Sequence, residues 1–117
     1  MRSIIWIVAR LRNYNPATRE AARLLGNQIR AARIRREITQ AELAERVGVS
    51  TMTMAKIERG DLGVALGSVF EAAVVAGVAL FDPDPDRRLG EVRRIRDVLT
   101  LLPDQVHHER GPVRDDF

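Results

Sequence analysis

The chain has no cysteine among its 117 residues. That excludes a disulfide framework, a cysteine-ligated zinc site and a thiol nucleophile. Aromatic residues are scarce, at 4%, so a core must be built from aliphatic side chains. The 45% apolar content allows one. Lysine is nearly missing: Lys56 is the only one, and every other basic side chain is Arg. No stretch approaches the ~18 consecutive apolar residues that a bilayer span requires. The N-terminal apolar run, 3–9, is also too short for a secretory signal and lacks a clear small-residue cleavage site. These absences leave the expectation of one small, helix-rich domain, soluble and cytoplasmic, with at most a short appendage.

Catalytic and metal signatures are missing too. No P-loop, GxSxG or HExxH string is present, and no serine, histidine and aspartate stand at a telling spacing. No enzyme is expected. His107 and His108 are adjacent, so on an extended chain they point apart, and they read as a surface pair rather than a metal site. Asp82, Asp84 and Asp86 alternate like the start of a calcium loop. Arg87 stands at its sixth position and Arg93 at its twelfth, where Gly and Glu are required. No cofactor is implied.

What is present is an uneven charge. Residues 1–60 carry 12 basic and 5 acidic side chains. Residues 61–117 carry 7 basic and 11 acidic. The front half is therefore +7 and the back half −4, which makes up the net +3. A basic half suggests a polyanionic partner, and nucleic acid is the usual one.

The chain reads as a succession of capped helices. Asn15 and Pro16 suit an N-cap and a first helical position. From there to residue 36 the composition is helix-forming, with Ala22, Leu25, Ile29 and Ala32 in one stripe. Thr39 and Glu42 make a capping-box pattern, which predicts a short helix over 40–47 with Leu43, Ala44 and Val47 inward. Gly48 stops it. Ser50 caps a third helix over 51–59, with Met54 and Ile57 inward and Gly60 at its end. Two short helices joined by a glycine-containing turn are the helix-turn-helix layout. A fourth, apolar helix is expected over 66–76, carrying Val69, Phe70, Ala73 and Val74 and ended by Gly77. Val78, Leu80 and Phe81 then plug the core. The Asp82–Asp86 stretch, broken by Pro83 and Pro85, starts a fifth helix over 87–102 with Asp86 as its cap. Leu89, Val92, Ile95, Leu99 and Leu102 form its apolar stripe, and Arg93 pairs with Asp97 on another face. Residues 104–117 read as a flexible tail. Three readings of residues 1–13 stay open: an added strand, a partner-facing patch, or an extension without structural role.

The string Ile29-Arg30, Arg33, Ile38-Thr39-Gln40, Glu42-Leu43-Ala44, Gly48-Val49-Ser50, Met54, Ile57-Glu58 and Gly60 resembles the Cro/phage-repressor-like (XRE-type) helix-turn-helix family. The resemblance covers residues 24–81. It implies an all-α, lambda-repressor-like fold of five helices, followed by a flexible tail. The divisions expected are an extension over 1–15, a DNA-binding domain over 16–81, a C-terminal helix over 82–103 and a tail over 104–117. It also implies sequence-specific binding of double-stranded operator DNA as a dimeric transcriptional repressor. The helix 51–59 would lie in the major groove. Its exposed face would be Thr51, Met52, Ala55 and Lys56, flanked by Ser50 and Arg59. Gln40 would sit against a phosphate, and in family members it can also brace a recognition-helix side chain. Arg33 and Glu58 would form an inward ion pair. Lys56 could contact guanine or phosphate, and both remain open. The cations left for DNA would be Arg30, Arg36, Lys56 and Arg59. Two departures stand out. Glu37 occupies a site where a helix-ending Gly is common, so the first helix is expected to close differently. Ala32 replaces a larger aliphatic residue and thins the core.

The stretch Glu58 to Gly67, then Gly77-Val78, and the ending Val113-Arg114-Asp115-Asp116-Phe117, resemble antitoxin regulators of the HipB kind. That implies a HipA-like kinase toxin as partner, held through the tail or the last helix. The rival class is therefore a protein-interaction module that neutralises a toxin, with DNA binding secondary. The helix 87–102 is the candidate homodimer contact.

Overall fold

The computed structural model describes residues 13–106. The expectations for residues 1–12, for His107 and His108, and for the tail beyond 106 lie outside the described residues. Within them are five helices and no strand: α1 (Pro16–Arg35), α2 (Gln40–Val47), α3 (Thr51–Arg59), α4 (Leu66–Ala76) and α5 (Pro85–Leu101). The expected all-α class is what the chain adopts. It divides into two compact units, Met1–Leu80 and Phe81–Phe117.

The caps explain where each helix begins and ends. Asn15 accepts a hydrogen bond from the Ala17 N–H at 2.9 Å, ahead of Pro16 at the first position. Pro16 has no N–H to leave unsatisfied there. The capping box at α2 is complete. Thr39 Oγ1 accepts from the Glu42 N–H at 3.1 Å, and Glu42 Oε1 accepts from the Thr39 N–H at 2.9 Å. Gly48 ends α2 in the left-handed conformation, φ 88°. Ser50 then caps α3 by accepting from the Thr53 N–H at 3.0 Å.

The first unit holds the core. Ile29, Leu43, Ala44, Met54, Ile57, Ala72, Ala73 and Ala76 are buried, four large side chains and four alanines. Leu25, Ala32, Ile38, Val47, Val49, Val64, Val69, Val78 and Leu80 pack around them, half-buried. α1 packs on α3 and α4, and α2 packs on the same two helices. Alanines supply every buried side chain of α4, and small side chains let packed helices approach closely, which suits a core with almost no rings.

Gly26, in the middle of α1, has a steric reason to be there. A Cβ on it would lie 2.5 Å from the Ile57 carbonyl oxygen and 2.7 Å from that of Glu58. α1 and α3 therefore meet backbone to backbone, and no side chain larger than hydrogen fits between them.

Several expectations are corrected. α1 does not close in a different way: Glu37 itself takes the left-handed conformation, φ 57°, while the Ile38 N–H reaches the Arg33 carbonyl at 3.2 Å. Phe81 does not plug the core; it is 94% exposed, with φ 67°. Val74 faces outward on α4, where Ala72, Ala73 and Ala76 are the buried side chains. α5 starts two residues early. Its cap is Asp84, not Asp86, because Asp84 Oδ1 accepts from the Asp86 N–H at 3.0 Å. Asp82 Oδ1 in turn accepts from the Asp84 N–H at 2.8 Å, so the Asp-Pro run is two successive side-chain turns. The ion pairs described on α5 are Arg87–Asp84 and Arg94–Glu91, not Arg93–Asp97.

Candidate nucleic-acid interface

α3 is held from its inner side. Arg33 on α1 meets Glu58 on α3 in a two-pronged pair, Nε to Oε2 at 2.7 Å and Nη2 to Oε1 at 3.0 Å. The remaining arm of the guanidinium donates to the Ile38 carbonyl at 2.9 Å. Gln40 Nε2 donates to the same Glu58 Oε1 at 3.1 Å. Glu58 is buried, so its charge has been taken from water and is met by three donors instead. Removing one partner of such a pair leaves the other charge buried, which costs about 3–5 kcal/mol. The cluster joins α1, α2 and α3 at one carboxylate and fixes the rotation of α3 about its own axis.

That rotation decides what faces outward. Thr51 is exposed and Met52 is 70% exposed, so the first turn of α3 stands open. Ala55 and Lys56 are half-buried rather than fully exposed, and Arg59 is exposed. The expected outer face therefore exists, but it narrows toward the second turn. The Ser50 hydroxyl is engaged locally. It accepts from the Thr53 N–H and donates to Thr53 Oγ1 at 3.0 Å, which makes it a cap first.

A polar groove runs beside this face. Asn27 and Arg30 from α1, Gln40 from α2, and Ala55 and Arg59 from α3 line it, with the Arg33–Glu58 pair. Asn27 was not among the residues picked out by sequence. Helical spacing alone places it only beside the α1 stripe. Its position near α3 follows from the close α1–α3 crossing that Gly26 permits. Arg36, expected among the cations that meet DNA, is exposed, and its Nη1 donates to the Val75 carbonyl at 3.1 Å. It caps the end of α4 there, with its guanidinium against Gly77.

Two short helices at a glycine turn, the second anchored within and open without, are now in place. A family model described as a helix-turn-helix domain matches residues 24–108. The chain belongs to the helix-turn-helix domain family. The match runs from within α1 to beyond α5, most of the chain. No curated protein matches it. Within this helix-turn-helix domain, α2 and α3 are the paired helices and Gly48 is the turn between them. No helix among the described residues is long and apolar enough to cross a membrane.

Proposed function

We propose that the protein is a sequence-specific DNA-binding transcriptional regulator, acting as a dimeric repressor. The observation that carries this reading is the presentation of α3: its inner side is locked by Arg33, Glu58 and Gln40, while Thr51 and Met52 at its start are open. A helix fixed in rotation and free on one face suits the major groove, where base edges are read by the first turns. Thr51 would offer a hydroxyl, and Met52 and Ala55 would meet thymine methyl groups. Lys56 and Arg59 would supply charge, and the cap at Ser50 would set the approach to the backbone. Gln40 braces Glu58, so its contribution to binding is chiefly to hold α3. Arg30 and Asn27 extend the surface along α1. One such helix reads only a few base pairs, so two copies on a palindrome are expected. The toxin-binding reading rests on the stretches Glu58–Gly67 and Gly77-Val78 and on the ending 113–117, and that ending lies outside the described residues.

A mobility-shift assay on the gene's own upstream DNA tests the reading. Binding falls steeply as salt rises, and Lys56→Ala weakens it by about tenfold, the loss of one charge-assisted contact. The form of that loss separates two roles for Lys56. A phosphate contact weakens all sequences alike and lowers the salt slope by about one, whereas a base contact relaxes preference at one position. No shift even at low salt overturns the proposal.

A further inference from the structure

α5 has no buried residue among its seventeen, yet one face of it is apolar. Val92, Ile95 and Leu99, with Leu102 just past its end, are 43–61% exposed and follow one another at intervals of three, four and three. That is the a/d order of a heptad, with Val92 and Leu99 at a and Ile95 and Leu102 at d. In the same register Glu91 falls at g and Arg96 at e. Five residues separate them, which is the spacing at which a g residue meets the e residue of a parallel partner. We propose that α5 pairs with α5 of a second copy as a short parallel two-stranded coiled coil.

Charge selects both the occupant and its direction. In a parallel pair, symmetry makes the Glu91–Arg96 contact twice, once on each side of the Val92 and Ile95 layers. An antiparallel pair would set g against g and e against e. The g positions hold Glu91 and Val98, and the e positions hold Leu89 and Arg96, so no opposite charges would meet. Glu91 already binds Arg94 on its own helix, and a carboxylate has lone pairs to spare for a second guanidinium. Arg96 has no ion pair among the described residues. Arg88, the next seam position toward the N-terminus, turns back to donate to the Asp82 carbonyl. It is thereby kept from facing its own copy, and the seam begins at Val92. This assigns a surface to the dimer of the proposed repressor and rests on that reading for its role. The dimer itself can be measured without DNA.

Sedimentation equilibrium on the full chain is the test. A monomer–dimer equilibrium is expected, and Ile95→Asp raises its dissociation constant by at least about a hundredfold, because a carboxylate would enter an apolar seam. The side chain is exposed in the monomer, so helical content by circular dichroism stays unchanged. Arg96→Glu weakens the dimer by about three- to tenfold, and exchanging the pair, with Glu91→Arg added, restores it. The absence of native cysteine makes direction readable: Leu99→Cys brings two thiols together only in the parallel arrangement, so mild oxidation yields a covalent dimer. A chain that stays monomeric up to about 1 mM, a dimer indifferent to Ile95→Asp, or a dimer that Leu99→Cys fails to cross-link overturns the proposal. Loss of DNA binding with the dimer intact would instead count against the function proposed above.

Discussion

Glu37 is one of two non-glycine residues, with Phe81, that hold a positive φ. An L-residue in the left-handed region costs about 1–2 kcal/mol, and Glu37 adopts it at φ 57° to turn the chain from α1 into α2. Glycine would remove that cost and give back about 0.5–1 kcal/mol through its freer unfolded state. Glu37→Gly is therefore expected to stabilise the protein by about 0.5–1 kcal/mol, raising Tm by about 3–6 °C. A thermal melt that shows no rise would mean the carboxylate makes up the difference. Glu58 is a different case, a buried carboxylate that accepts three hydrogen bonds from Arg33 and Gln40. The Arg33–Glu58 partnership was legible from the family pattern. Gly26 was not. In a sequence, a glycine inside a helix reads only as a weak helix former, and the carbonyls it makes room for belong to a helix thirty residues further on.

At the scale of the elements, the boundaries follow from side chains that compete for backbone hydrogen bonds. Thr39, Ser50, Gly48, Gly60 and Gly77 all sit where their chemistry places them, which is why α2, α3 and α4 could be read closely. α5 was read two residues late because two aspartates could serve as its cap, and only geometry chooses Asp84. Periodicity also showed that α5 has an apolar face, but not that the face stays open, since a stripe carries no record of its neighbour. Capping also makes α2 pH-sensitive. The backbone and hydroxyl of Thr39, and then the charge of Arg46, hold the Glu42 carboxyl below its ordinary value. A depressed pKa adds stability above the unfolded value of about 4.3, and that stability is lost as pH falls through the folded value. The Tm advantage of the wild type over Glu42→Gln should accordingly be present near pH 6 and shrink by about pH 3. An advantage independent of pH would show that the carboxylate form is not what caps.

For the molecule as a whole, the distribution of buried residues matters most. Every buried apolar side chain described lies between Ile29 and Ala76. A chain ending after Leu80 keeps all of them. At dilute concentration it is expected to melt within about 3 °C of the full protein, since only surface residues are lost. A fall of about 10 °C or more would place part of the fold's support beyond residue 80. Charge reads differently at this scale than it did along the chain. Of the basic side chains in the front half, Arg33 is committed to Glu58 and Arg36 to the end of α4, so the half is less available to a polyanion than its formal charge suggests.

The contact at Gly26 bears on how such a domain can change over generations. α1 and α3 are registered by main-chain atoms, and main-chain atoms do not mutate. That contact and the Glu58 cluster are at the last turn of α3, whereas Thr51 and Met52 stand exposed in its first turn. Substitutions there can accumulate without disturbing the joint that sets the helix in place. The fold thus separates the part that must be inherited unchanged from the part that is free to drift.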